Sequence, residues 1–177
     1  MKKTLIASVA LLSLGLTANS AFASDVIVKC GATVDVEKQR LTGPRSFSII
    51  DGRISAIDST AQAESIVDLS DATCLPGLID MHVHLTSQSS PSSYIEGYTL
   101  NTADYAFRSV NYARLTLEAG FTTVRNLGDD GTVTKSLRSA IAQGHVQGPR
   151  IFTAGKSLAT TGGHADPTNG HLSLIHI

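Results

Sequence analysis

The feature that most restricts the fold of this chain is the stretch from Leu75 to Leu85, which reads LPGLIDMHVHL. Within it, GLIDMHV is apolar almost without interruption up to the first histidine. Strands covered on both faces, as in a parallel sheet, have this composition, whereas half-exposed strands alternate apolar and polar residues. We therefore predict a buried parallel strand, which needs a crossover connection to its neighbour.

The residues after this strand alternate between helical and extended patterns, as a parallel sheet requires. Apolar residues near helical spacing indicate the helices. A long stretch rich in Ser and Tyr indicates a loop. Gly120 and Gly144 follow the two predicted helices as C-terminal glycines. The chain is predicted to be α/β, with βα units joined by right-handed crossovers. In order, the prediction is a loop over 86–101, a helix over 104–118, a strand over 121–127, a helix over 132–143 and a strand over 150–154.

Residues 24–75 carry the signals of a small all-β unit instead. Asp51-Gly52 lies between the β-branched residues of FSIIDGRISAI, which predicts a tight hairpin. At about 50 residues, the unit is too small to bury much apolar surface alone. Cys30 and Cys74, the two cysteines of the chain, are either a disulfide or a buried pair of free thiols.

The first 23 residues have the pattern of a signal peptide. Lys2 and Lys3 precede an apolar run over 5–16, and Ala21-Phe22-Ala23 supplies a cleavage pattern. The run is shorter than the about 20 residues that a membrane-spanning helix needs. We expect cleavage after Ala23, no stable membrane insertion, and export to the periplasm or the medium.

The charge balance and the missing motifs exclude several classes of function. Removing the two signal lysines from 14 basic residues leaves 12 against 15 acidic residues, a net charge of −3. This charge argues against a nucleic-acid or anionic-membrane partner. The sequence also has no GxGxxG after a strand, no GxxxxGK[ST] and no GxSxG, which are the signatures of nucleotide-binding loops and nucleophilic hydrolases.

His82 and His84 are the main candidates for a functional site. Side chains two residues apart on a strand point to the same face, so their imidazoles converge. This arrangement predicts two ligands of a divalent metal, with zinc the preferred identity, although two histidines satisfied by backbone groups would read the same in isolation. Asp80 lies on the same face, where a carboxylate can orient a ligating histidine.

The order of these segments resembles the amidohydrolase superfamily of metal-dependent hydrolases. The match runs from the DG hairpin through PGLIDMHVH, AGFTTVRNLG and GPRIFTAG to TGGHADPTNG. The resemblance implies a (β/α)8 barrel with a small β-sandwich, and metal ligands His82 and His84 at the carboxyl end of the first barrel strand. Within the superfamily, the chain resembles the branch that contains imidazolonepropionase-like proteins and exported dipeptidases that cleave Xaa-Pro or Xaa-Arg/Lys bonds.

The resemblance also implies that the chain is the N-terminal part of a longer protein. A barrel of this kind takes about 250 residues, and only three βα strands are present. We expect residues 76–171 to be the first βα units, truncated before the remaining ligands and the general base. The last segment, 172–177, has no place in the family pattern and matches a translated sequencing adaptor, so His176 is expected to be non-native.

Expressed alone, the chain should leave apolar faces and strand edges exposed, and it should be poorly soluble or partly unfolded.

Several further residues have two interpretations each. His164, after Thr161-Gly162-Gly163, either binds substrate or is a surface loop residue, and Arg125 either binds a substrate carboxylate or pairs inside the barrel. Relatives often have Asp after this arginine, where this chain has Asn126, so an ion-pair role there does not carry over. Tyr94 and Tyr98 either line a substrate pocket or only pack on the surface. Lys156 is expected to be a loop lysine, and His145 and His171 are expected to be exposed to solvent.

These observations predict that the parent protein hydrolyses an amide bond in a dipeptide or an N-acyl amino acid, using a divalent metal. The fragment itself is expected to be inactive because ligands and general base are missing. Two alternatives remain open: a cyclic-amide hydrolase or deaminase of the same superfamily, and a non-catalytic exported binding protein. The expected partner is a small molecule or dipeptide, and homo-oligomers are compatible with the sequence.

Overall fold

The computed structural model describes residues 26–58, 63–129, 131–160 and 163. The predicted signal peptide, His164, His171 and the segment 172–177 lie outside these residues. The chain divides into two compact units, Met1–Leu75 and Pro76–Ile177. In the part that is described, no helix is long and apolar enough to cross a membrane.

The first unit is a five-stranded sheet built around one long central strand. This strand, β1, pairs in parallel with β5 along one edge and antiparallel with β3. The short strand β2 pairs with the end of β1, and β4 pairs with β3. The predicted β-sandwich stays a prediction, since the described residues form this one sheet. The strands are β1 (Val26–Asp35), β2 (Arg40–Thr42), β3 (Arg45–Ile50), β4 (Arg53–Ile57) and β5 (Ser65–Cys74).

The hairpin predicted at Asp51-Gly52 is confirmed. These two residues connect β3 and β4, and Ile50 faces Arg53 directly before and after the turn. Both turn residues have positive φ, 50° at Asp51 and 68° at Gly52. Two-residue turns with positive φ match the twist of the flanking strands, which explains the Asp-Gly pair.

Cys30 and Cys74 form a disulfide, which decides between the two states that the sequence left open. Their Cα atoms are 5.8 Å apart, and Cys30 is 2% exposed. The bond joins the central strand β1 to the last residue of β5, two strands that already pair in parallel. It therefore closes a loop across the first unit.

The second unit is a three-stranded parallel sheet with helices between the strands, as predicted. The strand order is β6-β7-β8, so each strand lies beside the next one in the chain. The prediction of one loop over 86–101 is wrong in part, because a short helix lies within it. Closure into a barrel stays a prediction. The elements are β6 (Leu78–Val83), α1 (Ser93–Thr99), α2 (Thr102–Glu118), β7 (Phe121–Asn126), α3 (Val133–Ala142) and β8 (Arg150–Thr153).

Helices α2 and α3 cover one face of this sheet. Val124 and Ile151 are register partners on β7 and β8 and are 0% and 3% exposed. The next register pair, Arg125 and Phe152, is exposed, and so is Ile79 on β6. Within the described residues, the second face is therefore bare, as expected for a chain of three βα units. The core cluster consists of Leu85, Ala113, Val124, Leu137 and Ile151.

Gly77 shows why the segment before β6 needs a glycine. A Cβ atom at this position would lie 2.1 Å from Oγ1 and 2.7 Å from Cβ of Thr122 at the start of β7. Heavy atoms cannot approach this closely, so only glycine lets the backbone pass beside this strand. The start of the histidine strand is thus fixed against β7.

Candidate metal site

The two candidate histidines lie at the carboxyl end of β6. His82 belongs to the strand and His84 follows its last residue. Both side chains are exposed, and their ring centroids are 5.4 Å apart in an edge-to-face arrangement. The side chains converge, in agreement with the expected strand geometry.

A bulge in β6 sets the position of His82. Asp80 is the register partner of Val124, and Val83 is the partner of Asn126, so β6 has one residue more than β7 in this interval. Met81 and His82 therefore have no register partner on β7. Such an extra residue redirects the side chains near it, and bulges are common beside active sites.

Two side chains bind the backbone groups of the bulge. The Oδ1 atom of Asp80 accepts a hydrogen bond from the backbone N–H of His82 at 2.9 Å. The Nε atom of Arg125 donates to the carbonyl oxygen of Met81 at 2.8 Å. These bonds replace the ladder hydrogen bonds that the bulge interrupts.

The ring of His84 is oriented by a backbone carbonyl. Its Nδ1 atom lies 3.0 Å from the carbonyl oxygen of Gly128, in the segment after β7. A carbonyl oxygen can only accept, so Nδ1 carries the proton in this bond. The other nitrogen, Nε2, then has a free lone pair in the neutral ring, which is the form that binds a metal.

A buried asparagine lies directly behind this histidine. Asn126 is 0% exposed, and its Oδ1 atom accepts from the backbone N–H of Leu85 at 2.8 Å. Its Nδ2 atom donates to the same carbonyl oxygen of Gly128 at 3.3 Å. Asn126 therefore contacts both the residue after His84 and the group that binds the His84 ring.

These residues fit a divalent metal as part of a larger ligand set. With Zn–N bonds of about 2.0–2.1 Å, a shared tetrahedral zinc would hold two imidazole centroids about 5 Å apart, close to the 5.4 Å between His82 and His84. Catalytic zinc sites have three protein ligands. Among the described residues, no group of three or more His, Cys, Asp or Glu side chains could hold a metal.

Asp80 and Arg125, two further residues predicted for the site, both contact the backbone of the histidine strand. The carboxylate of Asp80 binds the backbone of His82, whereas the ring of His84 is bound by Gly128. Arg125 reaches the histidine strand through Met81, and its role toward substrate stays a prediction. His164 lies outside the described residues.

The remaining candidates in the described part of the chain are exposed, and a role of Tyr94 and Tyr98 in a substrate pocket stays a prediction. Lys156 is exposed, and its backbone forms an isolated parallel β-bridge with the backbone of Asp129. His145 lies before β8, at the opposite end of the sheet from His82 and His84. Tyr94 and Tyr98 pack edge to face on α1, with hydroxyl oxygens 3.0 Å apart. This hydrogen bond raises the pKa of Tyr98 above its usual value.

Sequence reasoning missed the roles of Gly128 and Asn126 at this site. A backbone carbonyl has no residue-type signal, and Gly128 is 44 residues from His84. A Cβ atom at Gly128 would lie 2.0 Å from Oγ of Ser157, so the serine side chain would have to rotate away, and this contact could not be predicted from residue spacing. Asn126, a polar residue two positions after the apolar Val124 at the end of β7, was the available signal.

Proteins similar to this chain include a Xaa-Pro dipeptidase, a prolidase and ochratoxinase. A crystal structure of a Xaa-Pro dipeptidase with methionine bound in its active site has 42% sequence identity and a TM-score of 0.75, covering 84% of this chain and 37% of that one. A prolidase complexed with N-methylphosphonate-L-proline has 31% identity and a TM-score of 0.68, covering 79% and 34%. Ochratoxinase from Aspergillus niger is 29% identical over 93 residues, which are 52% of this chain and 19% of the relative.

The chain spans only about a third of the length of these two solved structures, and less of ochratoxinase. The model of the amidohydrolase family matches residues 73–175. This range is more than half of the chain and includes both histidines of the candidate metal site. The chain therefore belongs to the amidohydrolase family.

Proposed function

We propose that the full-length protein, meaning the product of the reading frame continued past His171, is an exported metal-dependent hydrolase of amide bonds. The observation that carries this proposal is the pair His82 and His84 at the carboxyl end of a parallel strand, with Nδ1 of His84 bound to Gly128. In β/α barrels, active sites lie at this end of the strands.

The residues of this chain would contribute two nitrogen ligands and the groups that hold them. His82 and His84 would bind the metal, and Asp80 and Arg125 fix the bulge from which His82 projects. When bound, a divalent metal polarises a scissile carbonyl and lowers the pKa of bound water to about 7. We propose zinc, because two imidazoles are typical zinc ligands.

The substrate class we propose is a dipeptide or an N-acyl amino acid. The similarity to a Xaa-Pro dipeptidase at 42% identity supports a dipeptide, and ochratoxinase is a more distant relative. Arg125 is a candidate for the substrate carboxylate, because it is exposed on the sheet face that the helices leave uncovered. In the described part of the chain, its hydrogen bonds use only Nε, so the two terminal nitrogens are available for a bidentate contact.

Export is part of the proposal. The signal pattern over residues 1–23 supports it, and the disulfide between Cys30 and Cys74 is a second, independent argument. Disulfides persist in the periplasm and outside the cell and are rare in the reducing cytosol. Both features are expected in one exported protein.

The test is an assay of the purified full-length protein on Xaa-Pro and Xaa-Arg dipeptides and N-acyl amino acids. We expect hydrolysis that a chelator abolishes and added zinc restores. His82→Ala and His84→Ala should each lower kcat/KM by more than about a hundredfold, beyond the 10- to 100-fold typical of residues that only orient ligands. His145→Ala, an exposed histidine at the other end of the sheet, is the matched control and should retain activity.

Three outcomes would contradict the proposal. Hydrolysis that survives both histidine substitutions would exclude these residues as ligands. Turnover of cyclic amides alone would place the activity elsewhere in the superfamily. Tight binding of dipeptides without any turnover would identify a binding protein.

A further inference from the structure

We propose that Asn126 is a positioning residue that fixes the location and the tautomer of His84. The inference rests on the proposed role of His84 as a metal ligand. It concerns hydrogen bonds of the described residues, and these exist without a metal.

The orientation of the Asn126 amide follows from one of its partners. The backbone N–H of Leu85 can only donate, so the atom that faces it at 2.8 Å must be the amide oxygen. The NH₂ group then points to the carbonyl oxygen of Gly128. The two ends of one rigid amide therefore hold β6 and the segment after β7 in a fixed register.

The carbonyl of Gly128 has two donors, Nδ2 of Asn126 and Nδ1 of His84. Asn126 thus fixes the position of the acceptor, and that acceptor fixes the ring. The same side chain also holds the backbone of Leu85, the residue after His84, so both ends of the histidine are anchored. The expected result is a ring with Nδ1 protonated and Nε2 directed away from Gly128.

The burial of Asn126 supports a specific role. Val124, two residues earlier on the same face of β7, is in the apolar core, and Asn126 is equally buried at 0% exposure. An amide in such a place is unfavourable unless its polar atoms are bonded, and here Oδ1 and Nδ2 both are. An apolar side chain would suit the core but would leave the N–H of Leu85 without this acceptor.

The first test is a spectroscopic one on the metal-free full-length protein. Long-range proton–nitrogen NMR spectra of ¹⁵N-histidine-labelled protein distinguish the two neutral imidazole tautomers. We expect His84 to be protonated at Nδ1 in the wild type. A wild-type His84 protonated at Nε2 would overturn the inference without any variant.

The second test uses Asn126→Leu, which keeps the size of the side chain and removes both the acceptor for Leu85 and the donor to Gly128. The carbonyl of Gly128 then loses the bond that holds it, which should mix the tautomers of His84 and weaken zinc binding, measured by chelator competition, by about 10- to 100-fold. Val124→Ala is the matched control on the same strand. It should destabilise the unit and leave the tautomer and the zinc affinity unchanged.

The outcomes separate this inference from the proposed function. An unchanged tautomer and zinc affinity in Asn126→Leu would overturn the positioning role. Absence of zinc binding in the wild type would contradict the proposed function, while the tautomer still reports on positioning. If Asn126→Leu does not fold, the shorter Asn126→Ala should give the same tautomer change, and a wild-type signature in it would equally overturn the inference.

Discussion

The two units of the chain differ in what is buried within them. In the first, three described residues are buried, Ile27, Cys30 and Ser48, and large apolar side chains such as Ile54 and Ile66 are more than half exposed. The second has a cluster of five buried apolar residues between sheet and helices. The first unit therefore depends on strand pairing, turns and a disulfide, and the second depends on a core.

The buried polar groups show a further difference. In the second unit, Asn126 and Thr134 are both 0% exposed and lie beside the carboxyl ends of the strands. Thr134 bonds the carboxylate of Asp129 and, at 2.7 Å, the hydroxyl of Thr153. Two of the three buried polar residues described in this unit thus lie where the loops around the candidate site begin, and the third, Ser109, lies within α2. The core supplies stability, and the buried polar residues fix the site.

The largest effect is expected from removing the disulfide. The double substitution Cys30→Ser and Cys74→Ser opens a loop of 44 residues, which should cost about 4 kcal/mol of the free energy of unfolding of the first unit by the chain-entropy relation. Hydrogen exchange of the full-length protein should accelerate in β1 and β5 but not in β7. Reduction of the wild type should reproduce the effect, whereas unchanged exchange in β1 would contradict the comparison.

A smaller loss is expected from the core of the second unit. Val124→Ala removes two methyl groups at a site of 0% exposure and should cost about 2–3 kcal/mol, the transfer term plus a cavity term. Val36→Ala, at 63% exposure, is the control and should change stability by less than about 0.5 kcal/mol. Urea unfolding measures both. Equal losses in the two variants would refute a core-dependent second unit.

Most of the fold could be predicted from local pattern, and one omission shows why the rest could not. Helix α1 lies in a Ser- and Tyr-rich segment and has no side-chain cap. Helices this short are marginal alone and depend on packing. Here Glu96 pairs with Arg108 of α2 at 3.0 Å, and the hydroxyl of Tyr105 donates to the Glu96 carbonyl. These contacts join separate helices, and no local pattern contains them.

The candidate site also has one part that could be predicted from the sequence and another part that could not. His82 and His84 could be predicted because strand periodicity is local, and their rings do converge. Asp80 was expected beside a histidine ring, but it binds a backbone N–H inside a bulge that sequence alone did not indicate. The acceptor for His84 is a backbone carbonyl on the neighbouring strand's loop, and its position depends on the folded sheet.

An effect of about 1 kcal/mol is expected at the start of α2. Oδ1 of Asn101 accepts from the backbone N–H of Ala103 at 2.8 Å, and Asp104 returns a bond to the backbone of Asn101. Asn101→Ala removes this N-cap and should lower the free energy of unfolding by that amount, measured by urea unfolding. Asn101→Asp keeps the acceptor and should retain most of the stability. A loss as large in Asp as in Ala would exclude capping as the cause.

The smallest effect is expected from the ion pair between Arg45, at the start of β3, and Asp58, directly after β4. The backbone N–H of Ser46, at 3.1 Å, and then the guanidinium of Arg45 hold the pKa of Asp58 below its usual value of 3.8. A carboxyl group with a lowered pKa in the folded state adds stability above pH 3.8 and loses it as the pH falls through the lowered pKa. Asp58→Asn keeps an oxygen for Ser46 and removes the charge, so the variant should be slightly less stable at pH 7.

The side chains of Arg45 and Asp58 are both more than two-fifths exposed, so solvent and salt should screen this difference in stability. Urea midpoints of wild type and variant should converge on acidification and at high salt, and a difference that grows as the pH falls would contradict this assignment.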